Sequence, residues 1–337
     1  RGLAEKELTD TTARLIGQAF GSFLAEEKGR KKAKGATEEG GGERRGKEEG
    51  EGKKEKKPHE RPKVAVAKDL RTSSERIRKA LLDGLTRAGV DVLDFGLVPT
   101  PLLYYGVVCF KQDAGISITG SHNPPEYNGF KFQLADRPFY GADIQQLAKR
   151  IEKKELAQGK GSVRSEEVLT PYSSALKDQF HYSKKWKVAI DSGHGMAGLV
   201  APRLFRELGQ EVVELYSNLD PRFPNHHPDP SIPENMKDLS ETVRKEKAVL
   251  GIAFDGDMDR IGVVDERGEI IPSDRLLLIF ARQVLKKEKG ATIIGDVKCS
   301  PLLYQEIARQ GGRPILWKTG HSVIKAKMKE EKATLGG

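Results

Sequence analysis

The sequence predicts an α/β protein made of consecutive mixed domains. Three observations point there. Strands and helices alternate along the chain, the strand–helix–strand pattern recurs in three cycles, and 337 residues, 37% of them hydrophobic, suffice for two domains or slightly more.

The first element is a helix, because Leu15, Ile16, Ala19, Phe20, Phe23 and Leu24 recur at helical spacing after the capping candidates Thr9 and Asp10. A charged run follows from Glu26 to Glu60, with 12 lysines and arginines, 10 glutamates and 8 glycines. Such a segment cannot bury a core, and it is expected to be a disordered insertion. Val64 and Val66 then alternate as a strand, and Thr72, Ser73 and Ser74 open a helix with Ile77, Leu81, Leu82 and Leu85 on its apolar side. Asp91 to Phe95 is the next strand. The second cycle comprises Lys187–Ile190 as a strand, 197–208 as a helix and Glu211–Tyr216 as a strand. The third takes strands at Leu250–Phe254 and 261–264, a helix over 275–286, and strands at 292–294 and 315–317. A break falls at 182–185, and a proline-rich loop, 221–233, lies inside the second unit.

The net charge of +9 raises the question of nucleic acid, but the positive charge lies in no single patch and lacks interleaved aromatics. No stretch approaches the roughly 20 apolar residues of a membrane span. Cys109 and Cys299 are far apart and form no C-x-x-C pair, which argues against a disulfide framework and fits a reducing cytoplasm.

Three motifs carry chemistry. In GISITGSHNPPEYNGFKF, Ser121 stands where a strand runs into a proline-stiffened turn, a placement that suits a nucleophile or phosphate carrier and equally an ordinary turn. In FDGDMDR, Asp255, Asp257 and Asp259 crowd three carboxylates beyond a buried strand. That crowding calls for a hard cation such as magnesium unless the turn is merely solvated. An EF-hand would use the same aspartates with Glu266 at position twelve, but Arg260 stands where that loop needs glycine. In DSGHGMAG, Gly193, Gly195 and Gly198 form a literal G-x-G-x-x-G. It reads either as a dinucleotide site, with Asp220 for a ribose, or as a tight strand-to-helix turn that needs small residues.

TGSHNPPEYNGFKF and DGDMDR, in that order with GHGMAG between them, resemble the α-D-phosphohexomutase family in its bacterial phosphomannomutase/phosphoglucomutase branch. The likeness runs from Arg1 to Gly337 apart from the charged insertion. It implies interconversion of hexose 1-phosphates and 6-phosphates through a phosphoserine at Ser121, with Mg2+ held by Asp255, Asp257, Asp259 and the serine's phosphate, and hexose 1,6-bisphosphate as intermediate and activator. His122 and Lys131 are implied beside the phosphoserine, Arg260 beside the metal, and Arg1, Lys298 and His321 as phosphosugar contacts. For Lys131 a lowered pKa and a part in proton transfer are expected, with His122 as the alternative group for that proton.

The implied domains are 1–155, with the phosphoserine loop and the insertion at 26–60; 156–255; and 256–337, with the metal loop and an incomplete end. The family's sugar-recognition loop and fourth domain would follow, so the sequence reads as truncated, without much of the binding energy that orients the sugar. The implied partner is a small phosphosugar, with no nucleic acid or membrane, for a monomer or dimer. Three alternatives stand beside this: a phosphoglucosamine mutase sharing the same loops, an NAD-binding oxidoreductase using Gly193, Gly195 and Gly198, and a nucleic-acid binder using the lysine-rich run.

Overall fold

The computed structural model describes residues 1–38 and 60–337. Gly2–Leu3 (β1) leads into the long helix Asp10–Glu38 (α1), where Thr9 accepts the Thr12 N–H at 3.2 Å as the expected cap. The first domain continues with Lys63–Lys68 (β2), Ser74–Arg87 (α2), Asp91–Leu97 (β3), Thr100–Cys109 (α3), Ala114–Ile118 (β4), Tyr127–Asn128 (β5), Phe130–Leu134 (β6), Ala142–Glu152 (α4) and Val163–Ser165 (β7). Its five-stranded sheet has the order β6-β4-β2-β3-β7, parallel except for β6. Val64, Ala65, Val66 and Ala67 are buried on both faces, as a central strand between helical layers requires.

Two sequence expectations for the first domain need correction. The charged run is helical as far as Glu38, because Glu, Lys, Arg and Ala all propagate a helix once the apolar turns before them are anchored. Glu26 pairs with Arg150 at 2.6 Å and Lys28 with Asp113 at 2.9 Å, so the run's start belongs to the domain. Residues 39–59 of the expected insertion lie outside the described residues. The boundary at 155/156 also fails, since β7 adds to the first sheet beyond it.

After Leu169–Gln179 (α5), the second domain has Lys187–Asp191 (β8), a 3-10 turn at Met196–Leu199, Ala201–Glu207 (α6), Glu211–Leu215 (β9), Lys237–Glu246 (α7), Leu250–Phe254 (β10), Ile261–Asp265 (β11) and Ile270–Ile271 (β12). The helix expected over 197–208 is split because Pro202 starts a new helix instead of continuing one. The sheet order is β12-β11-β10-β8-β9, with β11 antiparallel to β10. The expected boundary at 255/256 therefore cuts this sheet, and the aspartate loop belongs to the second domain. The third domain has Ser273–Lys287 (α8), Thr292–Asp296 (β13), Pro301–Arg309 (α9), Arg313–Trp317 (β14), His321–Glu331 (α10) and Leu335–Gly336 (β15), with the parallel order β14-β13-β15.

One topology recurs. In the first two domains the first strand is an interior one, the second pairs on one side of it, the third on the other, and an antiparallel fourth follows the third. Both chemistry-bearing loops leave the C-terminal end of a third strand, the end where open α/β sheets bind ligands. A shared apolar cluster joins the first two domains, with Leu102, Leu103 and Val107 of α3 packed together with Val200 and Leu204 near α6. That cluster fixes the two loops against each other.

Candidate active site

Ser121 is buried and adopts φ +51°, a left-handed conformation that costs an L-residue on the order of 1 kcal/mol. Its surroundings hold it there. Its N–H donates to Thr119 Oγ1 at 2.8 Å, and its carbonyl accepts from Arg71 Nη2 at 2.9 Å. Arg71, itself buried, also donates to the carbonyls of Tyr127 at 2.9 Å, Asn123 at 2.5 Å and Pro124, and pairs with Asp69 at 3.2 Å. Asp69 in turn accepts the Gly120 N–H at 3.1 Å and the Ser74 hydroxyl at 2.5 Å. Gly120 must be glycine, because a Cβ there would lie 2.2 Å from the guanidinium carbon. Ser73 and Ser74, expected to cap α2, instead accept from Asn128 Nδ2 at 2.9 Å each and brace the loop.

The serine hydroxyl donates to Asp255 Oδ2 at 2.6 Å. Oxygens of Asp255, Asp257 and Asp259 lie within 4.8 Å of one another, at a loop turned by Met258 at φ +64°. Asp255 Oδ1 accepts the N–H groups of Asp259 and Arg260 at 2.9 and 3.0 Å. Asp257 Oδ2 is met by Thr100 Oγ1 at 2.5 Å and Lys131 Nζ at 2.6 Å, while Lys131 reaches Asp259 at 2.5 Å. Burial and the neighbouring Asp257 and Asp259 push Asp255 up to about 7. Burial opposes the charge of Asp257 too, but Lys131 outweighs it and holds Asp257 down at about 2. For Lys131, the three carboxylates overcome burial and raise the pKa. Where no cation offsets the aspartates, the direction for Lys131 is opposite to the lowering expected, since its immediate neighbours are anions.

Asp257 Oδ1 is buried and has no hydrogen-bond partner. A buried orphan oxygen among three crowded carboxylates fits a hard divalent cation, which would satisfy the oxygen and neutralise the cluster. The EF-hand alternative is excluded, because Glu266 lies beyond β11, at the far end of a strand from the aspartates.

The other candidates gather around this centre. Arg260 reaches Asp255 at 3.3 Å and Asp229 at 3.4 Å, and donates to His122 Nδ1. His122 has a lowered pKa from burial and from Arg260, and its carbonyl accepts from His227 Nε2. Arg1 Nη1 reaches Asn123 Oδ1 at 3.3 Å, because β1 pairs with β5 at the end of the serine loop. Lys298, whose Nζ lies 3.6 Å from Asp296, lines a cleft of about 800 Å³ with Asp259 and Arg260. His321 opens α10 as an exposed residue, and no hydrogen bond or ion pair among the described residues ties it to the aspartates.

The glycine motif is structural. A Cβ at Gly195 would meet the Gly256 carbonyl at 2.9 Å, and one at Gly198 the Ser217 carbonyl at 2.1 Å, so protein backbone fills the space a pyrophosphate would need. The Met196 N–H donates to that Gly256 carbonyl at 3.0 Å. Gly193, Gly195 and Gly198 therefore build a turn that seats the aspartate loop.

Sequence reasoning missed Asp69, Arg71, Thr100 and Asp229. The signal for Asp69 and Arg71 was a pair of charges at the C-terminal end of a buried strand.

Residues 50–158, 170–268 and 272–337 match the models of the phosphoglucomutase/phosphomannomutase alpha/beta/alpha domains I, II and III respectively. The chain belongs to the phosphoglucomutase/phosphomannomutase family. It is 50% identical over 276 residues to a phosphomannomutase/phosphoglucomutase of Pseudomonas aeruginosa, across 82% of this chain and 60% of that protein. A phosphoglucomutase of Neisseria meningitidis is 38% identical over 339 residues, across 100% of this chain and 67% of that protein. The crystal structure of a phosphoglucomutase/phosphomannomutase family protein from Burkholderia thailandensis superposes with a TM-score of 0.86 at 41% identity. That match covers 100% of this chain and 68% of that one. This family member thus spans about three fifths of the length of the Pseudomonas relatives it matches. Among the described residues, no helix is long and apolar enough to cross a membrane.

Proposed function

We propose that the protein is a phosphomannomutase/phosphoglucomutase, interconverting hexose 1-phosphate and hexose 6-phosphate in the cytoplasm. The observation that carries the reading is the 2.6 Å bond from Ser121 Oγ to Asp255, beside an orphan oxygen on Asp257. The names of the relatives support mannose and glucose phosphates over the phosphoglucosamine alternative.

In this reading Ser121 carries the phosphoryl group. A sugar hydroxyl attacks phosphorus, the bond to Ser121 Oγ breaks, and hexose 1,6-bisphosphate forms; reversal at the other end returns a phosphoryl group to the serine. Asp255, Asp257 and Asp259 would hold Mg2+, which when bound would supply charge neutralisation for the transferring oxygens. Positioning falls to the chain's own residues. Arg71 and Thr119 keep the serine hydroxyl aimed at the aspartates, and Thr100 orients Asp257. Arg260 and His122 border the serine's other side, with Arg1, Lys298 and His321 left to grip the sugar phosphate. Lys131 Nζ, set between Asp257 and Asp259, is the nearest nitrogen to the aspartates from the first domain and is assigned the proton exchange with the sugar hydroxyl.

The test is mass spectrometry of the Ser121 peptide after incubation with glucose 1,6-bisphosphate and Mg2+. Phosphate is expected on Ser121 in the wild type and on nothing in Ser121→Ala. Asp257→Asn is expected to reduce labelling by about 100-fold or more, since it removes a ligand where charge must be neutralised. Folded wild-type chain that stays unlabelled would overturn the reading.

A further inference from the structure

Helix α10 carries three lysines that end in different company. Lys327 pairs with Glu330 at 2.8 Å and Glu331 at 2.7 Å, and lies 4.5 Å from the Trp317 ring centroid. Lys329 donates to the Asp136 carbonyl. Lys325 has no carboxylate partner among the described residues. Its ammonium sits 4.0 Å from the ring centroid of Tyr104, which α3 of the first domain supplies.

Tyr104 follows Thr100 by four residues on α3, one helical turn from the hydroxyl that reaches Asp257. Lys325 is half-buried and follows His321 by four residues, so the two share one face of the helix. Burial lowers its pKa, Asp259 pulls the other way and Lys131 adds to the lowering, which sets its charge in the same field as the aspartate loop and Lys131. Burial likewise pushes the Tyr104 hydroxyl up to about 12, and Asp259 and Asp257 add to that rise against the opposing pull of Lys131. An ammonium over an aromatic face has one side satisfied and keeps N–H donors for a ligand on the other. Two ammoniums at one edge of a half-buried centre repel unless an anion lies between them, and the carboxylates nearby are those suited to hold the cation.

We propose that Lys325 binds the phosphoryl group in transit between Ser121 and the sugar, with Tyr104 as the residue that positions it. The inference rests on the mutase reading above. Its ligand chemistry is a phosphate monoester dianion. Lys325 neither gives nor takes a proton: the Ser121 P–O bond breaks as the sugar P–O bond forms, and the ammonium faces the nonbridging oxygens throughout. A charge placed there acts on the rate of transfer more than on ground-state binding.

The experiment follows Ser121 phosphorylation by rapid quench, from glucose 1,6-bisphosphate and Mg2+, over a range of sugar concentrations. Lys325→Met is expected to slow the limiting rate by about 100-fold with little change in the half-saturating concentration. Lys325→Arg restores most of the rate that Lys325→Met loses. Tyr104→Phe keeps the ring and stays near wild type, whereas Tyr104→Leu falls toward Lys325→Met. Lys327→Met, outside the centre, transfers at the wild-type rate. Should Lys325→Met lose its fold by circular dichroism, Lys325→Gln carries the same expectation. Wild-type transfer in folded Lys325→Met or Lys325→Gln overturns the inference and leaves the mutase reading intact; an unlabelled wild type overturns both.

Discussion

The Ser121 loop leaves β4 and the Asp255–Arg260 loop leaves β10, each the third strand of its sheet and each followed by an antiparallel strand. Topology makes them counterparts, yet they are held in different ways. The backbone of the serine loop is held mainly by hydrogen bonds from within its own domain, four of them from Arg71 to backbone carbonyls, with His227 of the second domain adding one at His122. The aspartate loop carries an excess of buried negative charge, with one oxygen unpartnered and Lys131 borrowed from the first domain. A shape that must not change is built from permanent donors. A shape that must accept a cation is left short of them.

The sharpest way to break this comparison is Arg71→Met. It strands four carbonyls and unpairs buried Asp69, and losing one partner of a buried ion pair costs about 3–5 kcal/mol. Urea unfolding should show that loss whether or not Mg2+ is present. If Mg2+ restored the variant to wild-type stability, the cation and not the guanidinium would be what holds the serine loop.

A smaller effect is expected where the loops touch. A Cβ at Gly256 would lie 2.5 Å from the Ser121 carbonyl, backbone against backbone. Gly256→Ala should destabilise by about 1–3 kcal/mol through overpacking, and separating nucleophile from aspartates should slow Ser121 phosphorylation by about 100-fold. Retained transfer would show that the loops can part without cost to the chemistry.

The two loops were also unequal in what the sequence disclosed of their surroundings. Ser121 and the aspartates lie in contiguous motifs at strand ends, so local pattern reveals them. Arg71 precedes a helix in the string DLRTSSER and looks like any solvated arginine until the fold turns it under residues 121–127. Thr100 reaches Asp257, and Tyr104 seats Lys325, across more than 150 and 200 residues of chain. No local period encodes such pairs. The boundary expected at 255/256 erred for a related reason, because reading the aspartates as the start of a new cycle hides the antiparallel return of β11 to the same sheet. The charged run misled through composition: charged residues cannot make a core, yet they can extend a helix whose earlier turns pack.

The smallest effect is expected in the segment 217–233, which joins the loops from the side. It brings His227 to the His122 carbonyl and Asp229 to Arg260, and it is tied to β8 by His226 Nε2 on Asp191 Oδ2 at 3.0 Å. Burial works against a charged His226, but the hydrogen bond and charge of Asp191 prevail and raise its pKa above the ordinary 6.5. The folded protein then binds this proton more tightly than the unfolded chain does. The pair's contribution to stability is present in full below about pH 6.5 and is lost as the pH rises through the folded-state pKa. His226→Gln keeps a donor to Asp191 without a titrating charge. Thermal unfolding of the metal-free chain should therefore show the wild type losing about 2 °C more than the variant between pH 6 and pH 8.5, the scale of a contribution below 1 kcal/mol in a chain of this size. Parallel curves would mean that His226 is neutral across the whole range, and that the segment is tied to β8 by a hydrogen bond without its charge.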